Sequence, residues 1–164
     1  RQGDYFLIVS ALVPYKKIDL AIETFNQLRQ PLRIVGDGPL RSKLKRMARF
    51  ENIQFEGWLE QDKLYERYAN CRALIFPGEE DFGIVPLEAQ WFGKPVIAYG
   101  KGGILETVLA TNDQRQIRRP EESTGIFFYD QAPDNLVKTL HEFNQTKFDE
   151  AFIHAHARNF SQAP

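Results

Sequence analysis

Two glutamates with seven residues between them, Glu80 and Glu88, and the turn they enclose are the part of this sequence best suited to chemistry. The segment reads Phe76-Pro77-Gly78-Glu79-Glu80-Asp81-Phe82-Gly83-Ile84-Val85-Pro86-Leu87-Glu88-Ala89. It leaves an apolar run, turns through Pro-Gly, gathers three acidic side chains and enters a helix at about Pro86. Proline suits a first helical turn, where its missing N–H leaves no bond unmade. The amides of Gly83, Ile84 and Val85 then lie free at a helix N-terminus, a site for phosphate oxygens. Gly83 lets a ligand come close to the backbone. Paired carboxylates also invite an acid–base reading. Plainer readings stay open: Glu79-Glu80-Asp81 as a solvated turn, and Glu88 as a complement to the helix dipole. A divalent-metal site is the weakest reading, because the acidic run lacks a spaced partner or a histidine.

The elements that must hold this turn follow from periodicity. Short apolar runs alternate with longer amphipathic stretches, the pattern of βα units around a parallel sheet. The runs are Tyr5–Ser10, Leu32–Val35, Ile53–Phe55, Ala73–Phe76, Pro95–Tyr99 and Gly125–Tyr129. Helix-like stretches lie around Leu20–Phe25, over Leu40–Phe50 and Gln61–Ala69, and twice between Ala132 and Phe160. Thr111–Ser123 reads as a charged loop. The fold expected is α/β, a Rossmann-like parallel sheet of about six strands with helices on both faces. Glycine or proline follows most strands, at Gly36-Asp37-Gly38-Pro39, Gly57, Pro77-Gly78 and Gly102-Gly103. Ligands of open α/β sheets bind at these carboxyl ends.

Composition narrows the function. The 164 residues suit one domain, 1–164, with a real core. Twenty-one Lys and Arg against 22 Asp and Glu give no overall basic excess, so no nucleic-acid partner is expected. The single cysteine, Cys71, makes neither an internal disulfide nor a metal cluster alone. No apolar run is long enough for a transmembrane helix. His141, His154 and His156 fall in the terminal helices and read as structural. The chain begins without methionine and stops at Ser161-Gln162-Ala163-Pro164, and reads as a fragment of a longer protein.

The two glutamates around Phe-Gly-Ile-Val-Pro resemble the signature of the retaining GT-B glycosyltransferases known as group 1. The resemblance continues through Gly93-Lys94-Pro95-Val96-Ile97-Ala98 and Gly102-Gly103-Ile104-Leu105-Glu106-Thr107-Val108. Ser10-Ala11-Leu12-Val13-Pro14-Tyr15-Lys16-Lys17-Ile18-Asp19, Val35-Gly36-Asp37-Gly38-Pro39-Leu40 and Phe55-Glu56-Gly57-Trp58 agree in order. It covers nearly the whole chain and is to the C-terminal, donor-binding half of the GT-B fold. The N-terminal, acceptor-binding domain has no counterpart here.

The resemblance implies a donor clamp for a nucleotide diphosphate sugar, which is a co-substrate; no cofactor and no metal are implied. Glu80 would accept hydrogen bonds from sugar hydroxyls and Glu88 from both ribose hydroxyls. The amides of Gly83, Ile84 and Val85 would hold phosphates, and Lys16 would neutralise the pyrophosphate. From spacing alone Lys16 and Lys17 are a solvated pair. Many family members carry arginine where this chain has Ala11, so Lys17 or an arginine elsewhere is expected to supply that charge. Gly36 and Gly38 resemble the glycine-rich turn near the donor, with a tight structural turn as the equal alternative. Gly102 and Gly103 could aim amides at the phosphates or the sugar. Trp58 and Leu59 mark the region of the base, with packing as the other reading for Trp58.

The implied reaction moves a sugar to an acceptor hydroxyl with retention at the anomeric carbon, through a front-face mechanism in which the leaving phosphate helps take the acceptor proton. Partners would be the donor, the N-terminal domain, and an acceptor sugar or lipid-linked glycan. The flavour of the motifs leans toward bacterial polysaccharide assembly and mannose transfer, and the isolated fragment should not itself transfer sugar. The expected location is cytoplasmic, or peripheral at the inner membrane face through the N-terminal domain. Two alternatives come from other classes: a nucleotide-sugar-binding regulatory module, and a nucleotide-sugar epimerase of GT-B architecture. A phospho-acceptor domain would need an acidic cluster after the first strand, where Ser10-Ala11 stand.

Overall fold

The computed structural model describes residues 3–80 and 83–160. In chain order it comprises β1 (Phe6–Val9), α1 (Ile18–Leu28), β2 (Leu32–Val35), α2 (Arg41–Met47), β3 (Ile53–Gly57), α3 (Gln61–Asn70) and β4 (Ala73–Phe76). There follow α4 (Ile84–Trp91), β5 (Val96–Tyr99), α5 (Ile104–Thr107), β6 (Asn112–Asp113), β7 (Gln116–Ile117), β8 (Gly125–Phe128), α6 (Pro133–Asn144) and α7 (Glu150–Ala157). Six strands form one parallel sheet in the order β3-β2-β1-β4-β5-β8.

Alternation along the strands divides the core in two. Phe6, Ile8, Ile34, Ile75, Ile97, Ile126 and Phe128 face one side and pack with Phe25 of α1, Leu44 of α2 and Leu140 of α6. Leu7, Val35, Leu74, Phe76, Val96, Ala98 and Phe127 face the other, with Tyr68 of α3, Ala89 of α4 and Ile104 of α5. Strands buried on both faces, such as β4 and β8, read as nearly unbroken apolar runs, whereas the edge strand β3 carries Gln54 and Glu56.

Two expectations change. Helix α4 begins at Ile84, two residues before the proline expected to open it. Pro86 therefore sits at the third helical position, still inside the first turn, where an N–H has no intrahelical acceptor to lose. The charged stretch Thr111–Ser123 is not all loop but holds the β6–β7 hairpin. The Asn112 amide donates to Phe127 O and its Oδ1 accepts from Phe127 N, which covers the free edge of β8. Buried Asp113 pairs with Arg115 and Arg118, and the hydrogen bond from Arg115 leads in holding its carboxyl below the usual range.

Close backbone contacts join the loops at the carboxyl ends. Ser10 N donates to Val35 O, Leu12 N to Asp37 O, and Gly36 N to Gly57 O. At Gly36, φ is +127°, and a Cβ there would sit 1.9 Å from Ser10 O. At Gly38 a Cβ would meet Leu12 O at 2.7 Å. The glycines of this turn are therefore needed to bring two loops together.

The last helix is tied down by its histidines. His154 Nδ1 lies 2.6 Å from Trp91 O, and His156 Nε2 lies 2.9 Å from Thr107 O. A carbonyl only accepts, so each of these nitrogens carries a hydrogen. Burial is the main cause lowering the His156 pKa, which keeps the ring neutral.

Gly36→Ala should lose about 3 kcal/mol or more, from strain and overpacking together. Chemical denaturation measures it, and a change within ~0.5 kcal/mol would refute the close-approach argument. The pH dependence has a definite sign. The unfolded chain protonates His156 near pH 6.5 while the folded chain resists, so stability should be complete above that pH and fall below it. Melting curves between about pH 7.5 and 5 should show this loss, and His156→Gln should flatten it.

Candidate functional site

A cleft of about 490 Å³ opens at the carboxyl ends of the strands, where β1 and β4 lie side by side. From β1 the chain proceeds to β2 and β3 on one side; β4 and β5 lie on the other. This is a topological switch point, where the loops diverge and leave a crevice. Val9, Ser10, Ala11 and Lys16 line it after β1, Val35, Gly36 and Asp37 after β2, and Trp58 and Leu59 after β3. Leu64 of α3, Phe76, Glu80, Gly83, Ile84 and Val85 complete the wall.

Lys16 Nζ lies 2.5 Å from Glu80 Oε2, joining the loops after β1 and β4 across the cleft floor. The two side chains are only 16% and 22% exposed, so both charges are partly withdrawn from water. Local geometry brings them together. Pro14–Lys16 form a single 3-10 turn with proline at its start. Lys17 takes a left-handed conformation, φ 58°, and turns the chain into α1. On the other side, a Cβ at Gly78 would meet Tyr15 O at 2.7 Å and Lys16 Cα at 3.0 Å, so the Pro-Gly turn lies directly on the lysine loop.

Gly102 and Gly103 hold the acidic loop from behind. Gly103 N donates to Glu80 O at 2.7 Å, and a Cβ at Gly102, φ +85°, would meet that same oxygen at 2.8 Å. Neither glycine lines the cleft. Their observed contact is with the backbone that carries Glu80. Asp81 and Phe82, part of the acidic turn read from the sequence, lie outside the described residues.

At the start of α4 the N-cap is Gly83, and no side chain among the described residues caps the helix. The Gly83–Val85 segment therefore meets the cleft with its first-turn amides uncapped. Glu88 lies one turn beyond Ile84 on α4 and is not part of the cleft wall itself. Its Oε1 accepts a 2.9 Å hydrogen bond from the Tyr68 hydroxyl. Tyr68 is fully buried and stacked on Phe92. Burial first, and the Glu88 charge second, push its phenol pKa far up, so it remains a donor. The other Glu88 oxygen has no protein partner among the described residues.

The remaining expected residues separate. Gly36 lines the cleft, whereas Gly38 packs on Leu12. Trp58 is 76% exposed and lines the cleft beside Leu59. Lys17 does not occupy the space opened by Ala11. It lines a neighbouring recess with Tyr15, Glu79 and Gln131, beyond Glu80. Lys16 is therefore the single cation of the cleft wall among the described residues, alongside Asp37 and Glu80. Arg41 reaches Asp37 at 3.4 Å. Among the described residues, no three His, Cys, Asp or Glu side chains gather as metal ligands. Sequence reasoning missed Tyr68, which looked like one more polar-helix aromatic, and the apolar wall of Val9, Leu64 and Phe76.

The chain is similar to known proteins along nearly its whole length. The model of the family described as glycosyl transferases group 1 matches residues 2–158. O-antigen chain mannosyltransferase C of Escherichia coli is 35% identical over 103 residues, covering 58% of this chain and 28% of that protein. A GDP-mannose-dependent alpha-(1-6)-phosphatidylinositol monomannoside mannosyltransferase of Mycolicibacterium smegmatis is 35% identical over 126 residues, covering 65% and 33%. The chain thus spans about a third of the length of these curated relatives. Among solved structures, Anabaena HepE in complex with UDP and glucose matches with a TM-score of 0.74 at 20% identity, over 96% of this chain and 44% of that one. The catalytic domain of starch synthase IV from Arabidopsis thaliana, bound to ADP and acarbose, matches with a TM-score of 0.74 at 18% identity, over 98% and 35%. With the paired glutamates on either side of the α4 start, the sheet of a GT-B half and a family match running almost end to end, the chain belongs to the glycosyl transferases group 1 family.

Proposed function

We propose that this chain is the donor-binding half of a retaining glycosyltransferase that takes a sugar from a nucleotide diphosphate sugar and passes it to an acceptor hydroxyl. The observation that carries the reading is the Lys16–Glu80 pair on the floor of the switch-point cleft, beside an uncapped helix start. One group suits an anion and the other suits hydroxyls, and they meet where a phosphate–sugar junction would lie.

In this reading the base lies along Trp58 and Leu59, and the ribose reaches back to Glu88. Tyr68 holds one Glu88 oxygen and leaves the other for hydroxyl donors. The diphosphate meets the amides of Gly83, Ile84 and Val85, and Lys16 turns from Glu80 toward it. Glu80, released, accepts from the sugar hydroxyls. Lys17 stays in the neighbouring recess, and Gly36, Gly102 and Gly103 act by shaping loops. Breaking the anomeric bond leaves charge on the diphosphate, which preorganised amides and Lys16 stabilise without solvent rearrangement. The acceptor attacks from the face that the leaving group vacates, giving retention, and the departing phosphate oxygen takes its proton. Glu80 is not the nucleophile. Neutralisation by amides and lysine makes the reaction metal-independent. The acceptor is held by a part of the enzyme outside this chain, so the chain alone binds but does not transfer. Two relatives are named as mannosyltransferases, one of them GDP-mannose-dependent, which makes GDP-mannose the first donor to test.

Calorimetric titration with GDP, UDP, ADP and their sugars should show saturable binding of one nucleoside diphosphate. No binding of any at millimolar concentration sinks the proposal. Glu88→Ala should weaken nucleotide binding by about tenfold or more, the loss expected for hydrogen bonds to a charged group. Glu80→Ala, in the intact enzyme, should abolish transfer while sparing nucleotide affinity. Equal loss of both would contradict the division of roles.

A further inference from the structure

The stretch from the end of α1 through β2 and α2 to the start of β3 carries an uneven share of charge. Residues 29–50 contain seven Lys and Arg against one Asp, whereas the whole chain has 21 against 22, so the remainder is strongly acidic. Two of the seven are engaged by carboxylates, Arg33 with Glu56 and Arg41 with Asp37. Arg29, Lys43, Lys45, Arg46 and Arg49 are exposed, and none forms an ion pair among the described residues. On α2, Leu44 is buried and Met47 half-buried while these cations face out, so the helix presents a continuous basic side. Lys45 and Arg46 also complement the C-terminal end of the helix dipole. That accounts for two of the five.

Arg29 is a second, independent sign. It closes α1 in a left-handed conformation, φ 64°, where glycine is the usual residue. Its guanidinium lies 3.3 Å from the centre of the Phe50 ring. Phe50 is itself 37% exposed. Arg29, Arg49, Phe50, Glu51, Asn52 and Gln54 border a recess of about 730 Å³. Asn26 fixes its wall, donating to Met47 O and accepting from Arg49 N.

We infer that this basic face, α2 together with Arg29, Arg49 and Phe50, docks on a bilayer surface bearing anionic phosphate headgroups. Clustered Lys and Arg on an amphipathic helix bind such surfaces, each adding about fivefold to partitioning. An exposed aromatic among them suits the boundary between headgroup and acyl chain. A nucleic acid would use Phe50 as a stacking platform, but Arg29 already covers that ring. The residues preceding β2 and β3 lie at the opposite end of the strands from the cleft, so docking here leaves the cleft open. No helix of the described residues is long and apolar enough to cross a membrane.

The test is co-sedimentation of this chain with vesicles of phosphatidylcholine containing ~30 mol% phosphatidylglycerol, compared with phosphatidylcholine alone. Binding is expected only to the anionic vesicles and should be released by ~0.5 M salt. The double variant Lys45→Glu/Arg46→Glu should lose at least about tenfold in binding, with unchanged melting temperature and unchanged nucleotide titration. Arg49→Glu, outside the helix, serves as the second variant and should weaken vesicle binding in the same direction. Failure to bind anionic vesicles, equal binding to neutral ones, or wild-type binding by both variants overturns the inference. So does tighter binding to a single-stranded oligonucleotide than to the vesicles. Because the nucleotide titration is read separately, these outcomes are independent of the donor-site proposal.

Discussion

The ion pair between Lys16 and Glu80 bridges the loops that leave the paired strands β1 and β4 at the switch point. At the switch point, the loops after β1 and β4 run in opposite directions and share no strand hydrogen bonds. Exposed ion pairs contribute little to stability, because water screens them and long side chains lose freedom. This pair is mostly covered, and each side chain rests on a backbone already fixed by other contacts. Its main consequence is preorganisation. Paired, the two charges offset each other and both groups stand in place. In the proposed function, an anion entering beside Lys16 would compete with Glu80 for the ammonium, coupling occupation of one half of the cleft to release of an acceptor in the other.

Backbone geometry makes that pairing possible. Gly78 lets the acidic loop lie on the lysine loop, and Gly102 with Gly103 supports it from the other side. Gly36 and Gly38 bring the β2 loop onto the β1 loop in the same manner. In each case a Cβ would strike a carbonyl oxygen or backbone carbon, which cannot swing aside as a side-chain end can. The glycines of these turns thus allow the loops to converge, the tight-turn alternative that the sequence also offered for Gly36 and Gly38. Gly36 also borders the cleft.

This explains what the sequence revealed and what it hid. The central strands were legible because doubly buried strands are apolar nearly without interruption, as Leu74, Ile75 and Phe76 show, whereas the edge strand β3 carries the exposed Gln54. The start of α4 was misread by two residues because proline is tolerated anywhere in the first turn, and periodicity does not distinguish those positions. The β6–β7 hairpin escaped because Asn112 and Asp113 hold it through side chains, while its strands are too short to show alternation. Tyr68 escaped for a related reason. Its partnership with Glu88 spans 20 residues and depends on α3 and α4 meeting over Phe92, which no local pattern records. Glu80 and Lys16, each singled out in the sequence, form a pair that no local pattern records, since they are 64 residues apart.

The absent arginine at Ala11 changes the character of the cleft. Among the described residues its wall has one cation, Lys16, against Asp37 and Glu80, so net charge there does not favour an anion. Attraction must come from oriented backbone amides at the start of α4, whose partial charge acts over the first turn only. A diphosphate recognised there, as proposed, would be held by fit at short range, weakly screened by salt. The basic face around α2 is the reverse, many exposed charges with little shape, and screening acts on it strongly. The two proposed phosphate-binding surfaces therefore rest on different physics. Salt separates them: a surface held by exposed charges can be released while a cleft built from amides and one partly buried lysine keeps its ligand.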